Sequence, residues 1–135
     1  MQKFFIISLM AFLATGVVYG QSGIVIMPTE GFPSQVTLDQ HIEVRFDFSV
    51  HPIAQMDSLI VGVKEKSGGE RKLEKLKLTE NDGKFFLNDQ FILNERVRYN
   101  TVFSTGEAAG ILEMVIYAVD KNGTKSGTIQ FTLQP

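Results

Sequence analysis

The sequence predicts an all-β fold, a sandwich of two antiparallel sheets with seven to nine short strands. Hydrophobic and polar residues alternate over residues 42–51, which is typical of a strand with one buried face. Two apolar runs, 111–119 and 127–133, flank the polar tip Asp120–Gly123, which is the pattern of a β-hairpin. Between these runs Gly, Asn, Asp and Pro recur at short intervals, and no long segment has helical periodicity. Short strands with frequent turns indicate a β-sandwich.

Residues 1–20 are predicted to be a cleaved secretory signal peptide. Lys3 provides a positive n-region, an apolar core covers residues 4–14, and Val18 and Gly20 are small enough for the −3 and −1 positions of a cleavage site. The core is roughly 11 residues long, well below the ~20 residues that span a bilayer, so a membrane anchor is disfavoured. The chain has no cysteine, which excludes a lipoprotein anchor.

Cleavage after Gly20, or earlier within residues 14–16, leaves one predicted domain over residues 21–135, secreted or periplasmic and without a membrane span. A domain of this size buries about two-thirds of its chain surface, enough for one core. Because no disulfide can form, that core must stabilise the fold. The formal net charge of −2 and the isoelectric point near 5.7 argue against a nucleic-acid partner.

The strands can be justified in chain order, beginning with a short strand over residues 23–27 that Pro28 interrupts, as at a sheet edge. Residues 28–33 are rich in turn residues, and Val36 and Leu38 lead into the clearest strand of the chain. Its apolar face consists of Ile42, Val44, Phe46, Phe48 and Val50. Its polar face consists of His41, Glu43, Arg45, Asp47, Ser49 and His51.

The middle of the chain contains one ambiguous segment. Residues 59–63 are apolar on both faces, as in a central strand. Within residues 70–78, Leu73 and Leu76 have helical spacing, whereas Leu76 and Leu78 alternate as in a strand. We favour a strand here, because a hairpin partner is needed nearby. The next predicted strands are 85–87, 91–93 and 96–104, followed by a flexible link at 106–110.

Residues 111–119 are apolar on both faces, although a strand of a two-layer sandwich buries only one. One face carries Leu112, Met114, Ile116 and Ala118, and the other carries Ile111, Val115, Tyr117 and Val119. We expect residues 23–33 to cover part of the second face through Ile24, Ile26 or Phe32. If that face is exposed instead, self-association through Ile111, Val115 and Tyr117 is the alternative. The residues predicted to face inward are Ile42, Val44, Phe46, Phe48, Ile116, Ala118, Ile129 and Phe131.

The sequence predicts no catalytic, cofactor-binding or metal-binding residues. His41 and His51 lie on the same face of one strand but ten residues apart, roughly 33 Å along a straight strand, so they cannot share a metal ion. We interpret both as solvent-exposed. No grouping of Ser, His and Asp suggests a nucleophile, and no glycine loop suggests phosphate binding. An enzyme is therefore not expected.

Two charged clusters have a structural and a functional interpretation. Glu43, Arg45 and Asp47 indicate a charge-balanced, solvated sheet face, or else a small polar recognition patch. Six bases lie between Lys64 and Lys77, interleaved with three glutamates. They favour a soluble edge hairpin that resists aggregation, the alternative being contact with an anionic polysaccharide or a lipid headgroup.

The spacing resembles the bacterial Ig-like domains of the S-layer type. The matching residues are Pro28-x-x-Gly31, Val36-x-Leu38, Ile42-x-Val44-x-Phe46, Val50-x-Pro52, Leu93 with Tyr99, and Asp120-x-x-Gly123. The resemblance covers most of residues 24–133 and implies an Ig-like β-sandwich. It implies little about function, because such motifs consist of core and turn residues.

A weaker resemblance is to the periplasmic copper carriers of the copper-resistance C type, whose final strand is similar to residues 126–131. Those carriers bind copper through a mature N-terminal His and a His in the last turn. This chain has Gln21 and Lys121–Gly123 at the matching positions, so the resemblance does not extend to the copper ligands. No cofactor is predicted.

The function we expect is that of an exported, non-catalytic Ig-like module that acts by surface contact in adhesion, envelope assembly or scaffolding. Its partner would be another protein or an envelope component. The alternatives are a periplasmic carrier of a small ligand or metal, and an inhibitor or accessory subunit of a secreted enzyme that binds through loops at one end of the sandwich.

Overall fold

A computed structural model of the protein describes residues 22–37 and 43–134, which form ten strands and one short α-helix. The elements are β1 (Val25–Pro28), β2 (Gln35–Thr37), β3 (Glu43–His51), β4 (Met56–Glu65), β5 (Glu70–Asn81), β6 (Lys84–Leu87), β7 (Gln90–Ile92), β8 (Arg96–Val102), α1 (Thr105–Ala109), β9 (Ile111–Asp120) and β10 (Lys125–Gln134). The predictions for the signal peptide, Gln21, Leu38, His41 and Ile42 lie outside the described residues.

The strands form two packed sheets, which confirms the predicted all-β, Ig-like sandwich. The small sheet has the order β1-β3-β8, and the large sheet has the order β2-β10-β9-β4-β5-β6-β7. All strand pairs are antiparallel except β2 with β10, which is parallel. The described residues contain one strand more than the predicted range. Val36 does not lead into β3, because it pairs with Leu133 in the other sheet.

The core lies between the two sheets, and aromatic rings fill its centre. The Phe46 ring centroid lies 5.0 Å from Phe131, 5.4 Å from Tyr99 and 5.6 Å from Phe32. Of the residues predicted to face inward, those that are buried are Val44, Phe46, Phe48, Ile116, Ala118 and Phe131. Ile129 is partly buried and packs against the same core. Alternation with period two therefore predicted the inner faces of β3 and β10 correctly.

The Pro28-x-x-Gly31 segment lies at the edge of the small sheet, where it contacts β3. The Gly31 carbonyl accepts a hydrogen bond from the Asp47 amide at 3.2 Å. A Cβ atom at Gly31 would lie 2.5 Å from Asp47 Oδ2, so no larger residue fits without displacing that carboxylate. Close approach of the backbone to Asp47 thus explains the glycine of this motif.

The ambiguous segment 70–78 is part of β5, as we favoured. Val61 pairs with Glu74, and the next residue of β4, Gly62, pairs with Lys72. Leu73 therefore has no pairing partner on β4. Such a bulge places two residues opposite one and turns the extra side chain. Leu73 and Leu76 therefore both pack against the core although they are three residues apart, which explains the helical spacing in the sequence.

A second bulge, in β9, overturns the predicted self-association surface. Lys64 pairs with Glu113 and Glu65 pairs with Ile111, so Leu112 is skipped. As a result Ile111 turns into the core and is 1% exposed, while Leu112 is 45% exposed, the reverse of the prediction. Val115 is also only 1% exposed, so only Tyr117 of the three proposed contact residues retains appreciable exposure.

The expected cover for the second face of β9 does not come from the N-terminal segment. Ile24 and Ile26 belong to the core between the sheets, and the Phe32 ring packs edge-on against Phe131 at 5.3 Å. β1 pairs with β3 so that Ile26 lies opposite Val50, a residue of the inner face. Directly opposed residues of an antiparallel pair share a face, so β1 completes the small sheet instead of covering the large one.

The tip of the last hairpin forms as predicted. Asp120 is buried, and its Oδ1 accepts hydrogen bonds from the amides of Asn122 and Thr124, both at 2.9 Å. Gly123 has φ at +85°, a conformation that glycine adopts readily. The Asn122–Thr124 segment is therefore part of the turn.

The predicted flexible link at 106–110 contains α1 instead. Ser104 and Glu107 form a capping box, in which the Ser104 hydroxyl accepts from the Glu107 amide at 3.1 Å and the Glu107 carboxylate accepts from the Ser104 amide at 2.9 Å. No helix in the part of the chain that the structure describes is long and apolar enough to cross a membrane.

Candidate interaction surfaces

A concavity of about 360 Å³ lies on the outer face of the large sheet, and we call it the lysine concavity. Its floor is formed by side chains from the two central strands: Ser58, Ile60, Tyr117 and Val119. Ile60 and Tyr117 lie directly opposite each other in the β4–β9 register. Because side chains alternate along a strand, burial of Leu59 and Ala118 in the core turns this neighbouring pair outward.

Lysines from two distant parts of the chain form the rim of this concavity. Lys72 and Lys75 come from β5, whereas Lys121 and Lys125 come from the last hairpin. None of the four forms an ion pair with a described residue. The bases that do are Arg45, Lys64, Arg71, Lys77 and Arg98, besides His51. Four lysines and two carboxylates, Asp57 and Asp120, line the concavity, so its formal charge is positive.

The two carboxylates that line the lysine concavity each accept hydrogen bonds from other groups. Lys77 Nζ donates to Asp57 Oδ1 at 2.8 Å, and this hydrogen bond is the main cause that lowers the pKa of Asp57. Asp120 Oδ1 accepts the two turn amides described above. The Ser58 hydroxyl is buried near Asp57 but makes no hydrogen bond of standard geometry with any described residue. The ammonium groups of the rim lysines thus remain available as donors, whereas the Ser58 hydroxyl is buried.

Lys125 is held against the floor of the lysine concavity. Its Nζ lies 4.9 Å from the centroid of the Tyr117 ring, within the range of a cation–π interaction. A bulge in β10, between Lys125 and Thr128, brings Lys125 opposite Val119 in the β9 register. The final hairpin therefore positions both an ammonium group and an aromatic ring at this site.

A second concavity, of about 650 Å³, lies beside the small sheet, and we call it the arginine concavity. Its lining includes Phe91 and Leu93, which are 47% and 62% exposed, next to Arg96 and Arg98. Arg98 Nε pairs with Asp47 Oδ1 at 3.3 Å, whereas Arg96 forms no ion pair with a described residue. Exposed apolar and arginine side chains here share one surface.

The arginine concavity adjoins an open sheet edge. The Val50 amide donates to the Glu95 carbonyl at 3.0 Å, so hydrogen-bonded pairs between β3 and β8 recur at every second residue from there. The backbone groups of Arg98, Asn100 and Val102 then point away from β3. Those of Arg98 are satisfied by the Gln90 side chain, which donates to its carbonyl at 2.8 Å and accepts from its amide at 3.0 Å.

A tight turn between β7 and β8 positions Leu93 and Arg96. Asn94 and Glu95 have φ values of 55° and 58°, as in the two-residue hairpin turns that match strand twist. The Glu95 carboxylate accepts from the Ile53 amide at 3.0 Å, and His51 Nδ1 lies 2.7 Å from its other oxygen. The Ile53 hydrogen bond is the main cause that lowers the pKa of Glu95.

The residues considered in the sequence analysis occupy different places. His51 is exposed and contacts Glu95. Glu43 and Arg45 pair at 3.3 Å on the outer face of β3, as the alternation predicted. The basic cluster 64–77 divides: Lys64, Arg71 and Lys77 form ion pairs, whereas Lys72 and Lys75 join the lysine concavity. No group of three or more potential metal ligands occurs within residues 22–37 and 43–134.

Both concavities were missed by sequence reasoning. The arginine concavity had a local signal, since Phe91, Leu93, Arg96 and Arg98 lie within eight positions of one another. Only one part of the lysine concavity was visible in the sequence, as the basic cluster 64–77. Residues 72–75 and 121–125 meet through strand order alone.

No protein-family model and no curated protein matches the chain. Among solved structures, the chain is similar to a Niemann-Pick type C2 protein from the Japanese carpenter ant, with 13% sequence identity and a TM-score of 0.41. The match covers 88% of this chain and 94% of that chain. Function must therefore be inferred from the surfaces of this chain itself.

Proposed function

We propose that this protein is an exported, non-catalytic Ig-like module that acts by contact with another protein through the arginine concavity. The observation that carries the proposal is that Phe91 and Leu93 are exposed beside Arg96, which has no ion pair within the described residues. Aromatic and arginine side chains are enriched among the residues that dominate binding energy in protein interfaces. Adhesion, envelope assembly and scaffolding are roles that such contact serves.

The occupant we propose is an extended segment of the partner that combines apolar and acidic side chains. Its backbone would pair with the open groups of Asn100 and Val102, as an added strand does at a sheet edge. Its apolar side chains would cover Phe91 and Leu93, and a carboxylate would pair with Arg96. If the partner is a secreted enzyme, the same contact makes the protein an inhibitor or accessory subunit.

Selection from a displayed library of random peptides tests this proposal. We expect selection on residues 21–135 to enrich extended peptides in which apolar and acidic residues alternate. Binding should fall by about tenfold or more in the double variant Phe91→Ser/Leu93→Ser, which removes the apolar contact. In hydrogen exchange, peptide binding should protect the Asn100 and Val102 amides.

A matched control is Leu112→Ser, since Leu112 is similarly exposed but lies on β9, outside the arginine concavity. It should leave peptide binding unchanged. The proposal is wrong if no such peptides are enriched, or if Leu112→Ser weakens binding as much as the double variant.

A further inference from the structure

We propose that the lysine concavity is a separate binding site for an acidic polysaccharide, a sugar chain that carries carboxylate groups. This inference rests on observations independent of the arginine concavity. The two sites share no lining residue, so one can fail without the other.

The first step is the charge of the rim. Lys72 and Lys75 lie on β5, whereas Lys121 and Lys125 lie at the turn and β10 of the last hairpin, and β4 and β9 separate β5 from β10. Cations therefore line two sides of the concavity, and neither Asp57 nor Asp120, which also line it, lies within ion-pair distance of these four lysines. An occupant with negative charges on both sides of its body would complement this arrangement.

The second step is the shape and chemistry of the floor. Ile60 is 3% exposed and Tyr117 is partly buried, so the floor is apolar but recessed below long lysine side chains. The concavity is open to solvent, which suits a chain passing through it better than an enclosed small molecule. The Tyr117 hydroxyl group can hydrogen-bond with sugar hydroxyl groups.

The third step is the choice of lysine over arginine. An ammonium group is a compact, mobile point charge, whereas a guanidinium imposes a planar, bidentate geometry on its partner. Four lysines are therefore suited to the variable carboxylate positions of a flexible sugar chain.

The same features disfavour a lipid surface. Membrane-surface binding requires apolar side chains that protrude into the bilayer. Within residues 22–37 and 43–134, the large apolar side chains that are exposed all lie outside this concavity: Met27, Phe91, Leu93, Val102 and Leu112.

The test is titration of residues 21–135 with polygalacturonate oligosaccharides, beside neutral dextran, poly-glutamate and vesicles that contain phosphatidylglycerol. We expect polygalacturonate to bind with an affinity that falls as salt rises, because exposed charges are screened. Neutral dextran should not bind. In NMR spectra, Tyr117 and Val119 should shift, whereas Asn100 and Val102 should not.

Variants localise the site. Lys72→Gln/Lys75→Gln and Lys121→Gln/Lys125→Gln should each weaken polygalacturonate binding by about tenfold. The matched control is Lys66→Gln/Lys84→Gln, which removes the same charge from exposed lysines outside the concavity. That control should retain binding within about twofold.

Four results would overturn the inference. If polygalacturonate does not bind at low salt, the lysine concavity is not a polysaccharide site. If Lys66→Gln/Lys84→Gln weakens binding as much as the variants in the concavity, the attraction is non-specific. Tighter binding to poly-glutamate would assign the site to an acidic peptide, and binding to vesicles alone would assign it to a lipid surface.

Discussion

Glu95 has a left-handed backbone conformation, with φ at 58°, although a side chain disfavours that conformation by about 1–2 kcal/mol. Three contacts hold it: its carbonyl accepts from Val50, and its carboxylate contacts Ile53 and His51. The turn that positions Leu93 and Arg96 is therefore stabilised by the backbone carbonyl and the carboxylate of one residue, Glu95.

Replacement Glu95→Gln should lower the free energy of unfolding by about 1 kcal/mol at neutral pH, a modest loss because the side chain is partly exposed. The folded protein holds the pKa of Glu95 below its ordinary value of 4.5, so the unfolded chain binds this proton more readily. The contribution is therefore complete above that ordinary value and is lost as the pH falls through the folded-state pKa.

Urea denaturation at neutral pH and below pH 4.5 would measure this difference. The difference in free energy of unfolding between the parent protein and Glu95→Gln should disappear in acid. The pKa values of Asp57 and Glu107 are also lowered, but both proteins contain these groups, so their effect on stability cancels in the comparison. A gap that is independent of pH would contradict the role given to the Glu95 charge.

At the level of elements, the open edge of β8 is partly closed by a side chain instead of a strand. The amide of Gln90 presents a donor and an acceptor to the backbone of Arg98, as a neighbouring peptide group would. Tyr99, on the same strand, donates to Glu74 of β5 at 2.7 Å and so joins the two sheets. Burial, followed by the contact with Glu74, raises the pKa of Tyr99.

Replacement Gln90→Ala should expose the Arg98 backbone groups and so lengthen the open edge of β8. Unpaired strand edges template pairing with further chains, so we expect concentration-dependent self-association with a loss of about 1 kcal/mol in stability. Sedimentation of the variant beside Gln90→Glu, which keeps an acceptor for the Arg98 amide, would measure both effects. A variant as monomeric and stable as the parent protein would contradict this account.

At the level of the whole molecule, the sandwich presents two chemically different concavities that share no lining residue. One carries lysines over an apolar floor on the large sheet, and the other carries arginines of β8 beside Phe91 of β7 and Leu93. A module with this layout can contact two partners at once, because neither surface overlaps the other.

A protein that begins at Gln21 should not bind copper(II) tightly, in contrast to the copper carriers considered in the sequence analysis. Gln21 can cyclise and lose its amine, and residues 121–123 provide no imidazole. Asp120 Oδ1 already accepts two turn amides. Binding through single histidines should have a Kd of roughly micromolar order or weaker.

Titration calorimetry and electron paramagnetic resonance on protein that begins at Gln21 would measure the copper affinity. His51→Ala serves as the control for binding to a single exposed imidazole. A one-to-one complex of nanomolar affinity would contradict the prediction and favour the carrier alternative.

Local sequence pattern predicted the sandwich class, the inner faces of β3 and β10, the strand at residues 70–78 and the turn at Asp120–Gly123. Each depends on interactions within one strand or one hairpin, where side chains alternate with period two and turn residues set the backbone. The pattern failed where a bulge skips a residue. At Leu112 one skipped residue exchanged the buried and exposed faces, because the period of a strand is two.

The tertiary structure alone decided which strands are neighbours, and with them both candidate sites. β2 joins the large sheet because it pairs with β10. Lys72 of β5 and Lys125 of β10 line the same concavity because β4 and β9, which lie between these two strands, form its floor. Strand order and register arise from pairings between residues far apart in the chain. The amino-acid sequence by itself therefore determined what a regular strand buries, and long-range packing determined where bulges interrupt the alternation and which exposed side chains meet.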